Sequence, residues 1–519
     1  MSDQKRLFLA AVLMAAVLFV SWALTGKSNR QEQPPASPSP QPSDDTPVEI
    51  ESPDTTLRTA PTLPESIDIT ARTITVLISD GSGGRLVEGV VSTGNGNITS
   101  WQLINYNDLS VDEGLPVDLA GGSMFAVEAP PGGAFSTNAP DTLKVEETTT
   151  LTLEGADGST LEYTFHPGSY AFGLRSQGLG PSTALAPKIL PVTERDVKPG
   201  KYFQAVWYTD KKRDEDAEDV DEEKPVGRCL WAGVRSKYFV VIMLPETSER
   251  AEAFLEPAGE ESPGVSISDG NLTVYAGPVS YRDLSRLGSR TDEMVDFGWP
   301  IIRWIGKIVF WFGTSALSFV GNWGLRIIII SLALKLILMP LTSKSFKSMQ
   351  KLKEVQPKLR EIQKKHKDDS QRQHKELQKL YHEEGVNPLG GCFPLLLQMP
   401  FFFALYRVLS NMVELRGAEF VLWIRDLSRP EILIPFGTSV LGLSGIGLLP
   451  VLMGVSMFVQ QKMTVTDPKQ KGMVYFMPVL FTWLFMRFPA GLTLYWFMNN
   501  LLTIGQQELI KKRLGDGKG

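Results

Sequence analysis

Asn322-Trp323-Gly324-Leu325-Arg326-Ile327-Ile328-Ile329-Ile330-Ser331-Leu332-Ala333-Leu334-Lys335-Leu336-Ile337-Leu338-Met339-Pro340 is the stretch on which the architecture turns. It is apolar over the ~20 residues that a helix needs to cross a bilayer, yet Lys335 sits inside it. An ammonium near the middle of a span costs roughly 2.5–3.5 kcal/mol on insertion scales. The interiors of the other apolar stretches offer no carboxylate to neutralise it. The cation is therefore expected to be unpaired, or reachable by water.

Further apolar segments lie at about 390–409, 447–462, 473–487 and 491–508, and Leu7 to Leu24 forms another behind Lys5 and Arg6. The first of these in the chain reads as an uncleaved anchor, since no clear small-x-small cleavage site follows it. Six spans result. Residues 295–320 carry Trp299, Trp304 and Trp311 with Arg303 and Lys307 among apolar side chains, the pattern of a helix lying in the membrane interface, with a full span as the alternative. The whole chain of 519 residues has a net charge of −6, which conceals an asymmetry. Residues 25–320 hold about 24 basic and 43 acidic side chains, the remainder about 28 and 15. Under six-span threading Lys5/Arg6, residues 342–388, Lys462/Lys469/Lys471 and Lys511/Lys512/Arg513 fall on one side. The positive-inside rule makes that side cytoplasmic, with both termini on it.

The opposite side receives residues 26–290. Residues 26–64, rich in Pro, Ser, Gln, Thr and Asp, bury too little apolar surface to offset ordering entropy and read as a disordered tether. Residues 65–290 contain short β-prone runs such as Ile69–Ile78, Thr149–Leu153 and Lys237–Leu244 between turn residues, which predicts a β-sandwich. Asp210 to Glu223 is acidic and is expected to be a solvated loop. No catalytic constellation is evident there. Cys229 and Cys392 fall in different compartments, so no disulfide is expected, and neither has the company of a nucleophile.

Residues 342–388 predict a cytoplasmic helical hairpin. Phe346, Met349, Leu352, Val355, Leu359 and Ile362 form one apolar stripe, and Leu377, Leu380 and Tyr381 another. Lys365 to Ser370 supplies the loop and N-cap residues, and Pro357 is expected to kink the first arm. The excess of basic residues suits phospholipid headgroups or an acidic partner such as ribosomal RNA. His366, His374 and His382 step about 80° round a helix and do not form a metal site.

The run Asn387-Pro388-Leu389-Gly390-Gly391-Cys392-Phe393-Pro394-Leu395-Leu396-Leu397-Gln398-Met399-Pro400 resembles the signature of the YidC/Oxa1/Alb3 membrane insertases. Gly321–Gly324, Pro340–Thr342, Gln356–Lys358, Phe420-x-x-Trp423-Ile424-x-Asp426-Leu427 and Phe488–Leu492 match in order. Trp231-x-Gly233, Lys237–Phe239 and Val295–Trp299 are similar to the Gram-negative form with its large periplasmic domain. The resemblance implies a helical core around a hydrophilic groove, open to cytoplasm and lipid, with a cation on the first core helix. Here that position is Lys335 rather than arginine, which keeps the charge but loses the planar fork. Arg407 also departs from the family pattern and lies near the periplasmic end, where it can snorkel. The connector 430–446 is longer than in enterobacterial relatives.

The expected architecture is a polytopic α-helical membrane core at 291–519 with an N-terminal anchor at 1–25 and a periplasmic all-β domain. The expected function is a non-enzymatic insertase and folding chaperone of the inner membrane. Lys335, Ser331, Gln398, Asn499 and Asn500 are the candidates for its client-binding groove, and Tyr495 and Trp496 for a surface along which a client slides. Lys335 is roughly 8 Å from Pro340 along the helix, so snorkelling is the simpler alternative for it. Nascent membrane proteins are the expected partners. The resemblance adds the Sec translocon, the ribosome and the signal recognition particle receptor, and the basic hairpin adds anionic lipids. No cofactor or metal is expected. No G-x-x-x-x-G-K-[ST] pattern occurs, which argues against nucleotide hydrolysis. The alternatives are a secondary transporter of a small solute and a membrane-anchored periplasmic carbohydrate-binding protein.

Overall fold

The computed structural model describes residues 71–108, 114–120, 124–125, 134–179, 204–209, 213–216, 224–247, 249–256, 264–367, 369–385, 393–440, 442–464 and 471–516. The expected N-terminal anchor, the tether and Cys392 lie outside them. Contact clustering divides the described chain into two units, Lys351 to the end of the hairpin and all the rest.

In the larger unit the N-terminal half is β-structure because its apolar residues alternate. Ile74, Val76 and Ile78 of Thr73–Ser79 are fully buried while their neighbours are not, the period-2 pattern of a strand with one face on a core. One sheet has the order Pro116–Asp118, Ile98–Asn107, Arg85–Ser92, Thr73–Ser79, Thr142–Val145. A second runs Arg213–Asp216, Gln204–Tyr208, Trp231–Arg235, Phe239–Pro245, Asn271–Pro278, Ala171–Gln177, Thr160–Phe165, Thr149–Glu154. Their apolar faces share one core. Trp101 of the first sheet packs 4.9 Å from the ring of Phe172 in the second and donates its indole N–H to the Ala276 carbonyl at 2.9 Å. Phe239–Pro245 is buried along nearly its whole length, since a third, three-stranded sheet of Lys224–Cys229, Ala251–Glu256 and Gly264–Ile267 accompanies the second one. Gly233 is required where its strand crosses Val241 and Ile242, because an added Cβ would overlap their backbone. Cys229 is buried, and burial pushes its thiol up to about 12, so it is no nucleophile at neutral pH.

Part of the acidic stretch 210–223, residues 213–216, departs from the expected loop, and the rest lies outside the described residues. Arg213–Asp216 is an edge strand, antiparallel to Gln204–Tyr208. Backbone pairing is indifferent to side-chain charge, and an edge strand tolerates charges that a central one does not.

The helices follow: α1 (Tyr281–Leu287), α2 (Pro300–Trp311), α3 (Trp323–Lys365), α4 (Ser370–Glu383), α5 (Phe393–Asn411), α6 (Leu448–Thr464), α7 (Lys471–Phe485) and α8 (Ala490–Asp516). α2 has Pro at its first turn, where the missing N–H costs nothing, and continues into a π-turn at Phe312–Ala316. Trp299, Ile301, Trp304, Ile308 and Trp311 are all exposed along it. Arg326 closes the turn that follows: it donates to the carbonyls of Val320 (2.6 Å), Gly313 (3.1 Å) and Ser318 (3.2 Å) and lies over the Trp323 ring. Its guanidinium thus holds carbonyls from the last helical turn and from the loop beyond it.

Among the described residues α3 alone is long and apolar enough by itself to cross a membrane, with a mean hydropathy of 2.1 over its apolar window, and Val474–Phe485 is a shorter apolar helix. α2 packs on α5, α6 on both α7 and α8, and α5 on α8. Gly324 at the start of α3 leaves room for the Phe420 ring, which a Cβ there would overlap. The N-terminus of α6 is capped from a distance. The buried Glu431 carboxylate accepts from the Leu448 and Leu449 N–H groups at 3.1 and 2.9 Å, an arrangement that the helix dipole favours.

In the smaller unit, Asp369 caps α4 by accepting from the Arg372 N–H at 3.0 Å. Val355 and Leu380 are buried together with Leu352, Leu359, Ile362 and Tyr381 packed against them. Lys358 and Glu384 pair at 2.6 Å. Helix α3 continues through Pro357.

Candidate functional site

Two polar stripes face each other across the helical part of the larger unit. On α3, Ser331, Lys335 and Thr342 recur at spacings of four and seven, which keeps them on one face. On α8 the same rule aligns Asn499, Thr503 and Gln506. All six are buried, Lys335 at 6% exposure.

The Lys335 ammonium donates to the Thr503 hydroxyl at 2.7 Å. That hydroxyl spends its own proton on the Asn499 carbonyl one turn back, at 2.6 Å, so its lone pairs point at the cation. One turn further along, the Gln506 amide nitrogen, with two hydrogens to give, lies 3.0 Å from the Thr342 and Ser343 hydroxyls and 3.3 Å from the Met339 carbonyl. The Asn499 side chain accepts from the Gln398 amide of α5 at 3.0 Å. Asn500 turns to α6 and donates to the Ser456 hydroxyl at 3.0 Å. The polar residues of α3, α5 and α8 thus form one seam, and Asn500 makes a separate contact with α6. Among the described residues Lys335 makes no ion pair, so its partner is a neutral hydroxyl that takes one of three ammonium donors.

Of the five expected groove residues, Lys335, Asn499 and Gln398 are joined through these bonds; Asn500 faces α6 instead, and Ser331 only returns its hydroxyl to the Ile327 carbonyl at 2.7 Å. Lys335 is hydrogen-bonded and enclosed by protein, with no carboxylate partner among the described residues. Arg407 does not snorkel; it pairs with Asp296 at 2.9 Å, joining α5 to the segment before α2. Tyr495 and Trp496 are 4% and 7% exposed. Trp496 stands edge-on to Phe402 at 4.9 Å, with Phe481 and Phe485 around it. Both side chains pack into the bundle core in this conformation.

Thr503, Gln506, Thr342 and Ser456 escaped the sequence reading. For the first two a signal existed: they continue the Asn499 stripe at i+4 and i+7 along α8. Ser456 had none, because its role is set by which helix α6 meets.

The seam differs from the other helix contacts in how it is made. Among the described residues α3 reaches α8 through these polar side chains and through Ile327, which packs against Gly491 at the start of α8, while α6 and α8 approach closely along their backbones. Side-chain hydrogen bonds between membrane helices contribute about 0.6 kcal/mol each on average.

Residues 315–516 match the family described as 60Kd inner membrane protein, and residues 84–312 match the YidC periplasmic domain. The protein named membrane protein insertase YidC of Cupriavidus metallidurans is 36% identical over 385 residues, covering 69% of this chain and 66% of that protein. Its namesake from Pelobacter propionicus is 42% identical over 301 residues, 55% of each. That from Wolinella succinogenes is 36% identical over 389 residues, 73% of this chain and 68% of that protein. The chain thus spans two thirds or less of the length of the first two relatives. With its β-region and its helical region each matched in order, the chain belongs to the YidC family of membrane protein insertases.

Proposed function

We propose that this chain inserts newly made proteins into the inner membrane, without enzymatic chemistry, using the seam between α3 and α8 to receive the polar end of a client segment. The observation that carries this reading is Lys335: a cation among apolar helices whose partner is a hydroxyl, not a carboxylate. A structural ion pair would already have its counter-charge. A client carboxylate can displace the hydroxyl, since it adds an opposite charge to the hydrogen bond that a neutral hydroxyl makes to the ammonium.

A client that carries an acidic end takes over Lys335 as the seam opens, and its polar groups find Asn499, Gln398, Gln506 and Thr342 in place of water. That lowers the cost of moving them partway across. Partition of the client's apolar residues into lipid supplies the drive, and the membrane potential adds to it for negative charges. Six spans, cytoplasmic termini, a periplasmic β-sandwich at 65–290 and a cytoplasmic basic hairpin at 342–388 are the topology that goes with this function. An ion-coupled transporter is less well supported, because the seam has no carboxylate beside Lys335 among the described residues.

The test is reconstitution. Proteoliposomes holding this protein alone are expected to insert a single-span client with a short acidic exported end. Lys335→Arg retains that activity and Lys335→Glu loses it. Failure of insertion together with uptake of a small solute refutes the reading, and equal activity of the two variants returns Lys335 to snorkelling.

A further inference from the structure

Between Glu431 and Lys462 the chain carries no charged residue for 30 positions. The second part of that run is α6. The first part is a β-hairpin, Ile434–Val440 paired with Leu443–Ile446, with Ile434 opposite Ile446 and Pro435 opposite Gly445. One face of it is buried, through Leu443 and Gly445. The aliphatic side chains of Ile432, Leu433, Ile434 and Ile446 are 40%, 48%, 58% and 37% exposed. An uncharged hairpin with this much exposed aliphatic surface is out of place in water.

Three observations say what covers it. Helix α6 has 17 residues, hence roughly 25 Å at 1.5 Å per residue, against a hydrocarbon core of about 30 Å. It is short for a span, and its exposed stripe of Leu452, Val455 and Val459 begins six residues after Ile446. The hairpin is therefore continuous with a face that meets lipid. Second, the hairpin turn packs on Arg487, in the connection from α7 to α8. A Cβ placed at Gly442 would lie 3.1 Å from the guanidinium carbon, which itself sits 4.3 Å over the Trp483 ring. Trp and Arg at a helix end mark the membrane–water boundary, so the turn lies at that depth. Third, a two-stranded sheet has open edges, which the hydrocarbon core excludes and the hydrated headgroup layer accepts.

On the membrane reading given above, we infer that this hairpin is a lipid-contact element lying in the headgroup layer at the N-terminal end of α6, with Ile432, Leu433, Ile434 and Ile446 against phospholipid chains. It extends the apolar reach of a short span and holds the α7–α8 connection at the bilayer surface.

Nitroxide labels test this in the full chain reconstituted in phospholipid vesicles. Cysteines are placed singly at Leu433, Ile434 and Ile446, with Val455→Cys as the lipid reference, Thr150→Cys as the aqueous reference, and both native cysteines replaced. The oxygen-to-nickel-chelate accessibility ratio is expected to be several-fold above that of position 150 at all three hairpin positions, and below that of position 455. Ratios equal to position 150, with position 455 still lipid-like, overturn the inference and leave the membrane reading intact. A water-exposed position 455 overturns the membrane reading itself. Hairpin labels that are water-exposed in vesicles holding this protein alone, and become shielded only when a client is added, make the hairpin a client surface and overturn the lipid assignment.

Discussion

The contact between Lys335 and Thr503 can be measured by a double-mutant cycle. Thr503→Val keeps the shape of the side chain and removes the hydroxyl that accepts from the ammonium at 2.7 Å. In the native background this leaves a cation at 6% exposure without its partner. Hydrogen bonds to charged groups contribute about 1.5–3 kcal/mol, and the loss of one partner carries the desolvation penalty of the other. Cycles within membrane bundles run lower, up to about 1.7 kcal/mol, so a cost near 1.5 kcal/mol is expected. In a Lys335→Met background the same substitution removes a hydroxyl that has no cation to serve, and it should be close to neutral. Lys335→Met alone should be neutral or stabilising, because it removes a buried charge, while insertion of clients with acidic ends is lost. The assay is equilibrium unfolding of the four proteins in mixed micelles, with insertion measured in parallel. Additivity of the two substitutions within about 0.3–0.5 kcal/mol would refute a direct interaction. Destabilisation by Lys335→Met would refute the view that the cation is kept for function and not for stability.

Two further outcomes follow from groups outside the spans. Glu414, between α5 and the β-region, has its carboxyl pushed up from 4.5 to about 7, first by burial and then by Asp283. The folded state thus binds this proton more tightly than the unfolded one, so this group's contribution to stability is full below pH 4.5, is lost as pH rises to 7 and is flat above it. The full effect is on the order of 3 kcal/mol. Thermal unfolding between pH 5 and 8 should show this slope in the native protein and lose it in Glu414→Gln; an unchanged slope in that variant assigns it to another group. Removing the remote cap of α6 by Glu431→Ala should cost about 2 kcal/mol, with Glu431→Gln recovering part of it because an amide oxygen still accepts from Leu448 or Leu449. Equal melting temperatures for all three proteins would show that water replaces the cap.

Much of the candidate site was legible before any coordinates. Lys335 stood out because an ammonium in an apolar run is rare, and Asn499 and Asn500 because amides in a span need partners. The partners themselves were not legible. Thr503 is an ordinary residue by composition, and it matters only because α8 lies opposite α3. The acceptor for Lys335 was sought among carboxylates, where charge pairing predicts it, and was found in a hydroxyl polarised by its own bond to the Asn499 carbonyl. Asp210–Glu223 misled in the opposite way: its charges suggested a loop, while backbone pairing made part of it a strand. Arg407 looked like a snorkelling cation until the fold brought Asp296 to it from 111 residues away.

By itself the sequence determined the β-region, the apolar helices, the basic hairpin and the family. These follow from periodicity, hydropathy and ordered motifs, which act over a few turns of chain and survive without knowledge of neighbours. Only the tertiary structure decided that Lys335 is enclosed, that Thr503 holds it, and that Tyr495 and Trp496 face the core. Exposure and hydrogen bonding depend on which helix lies across the gap. Hydrophobic burial, being non-directional, leaves that choice to packing over the whole bundle.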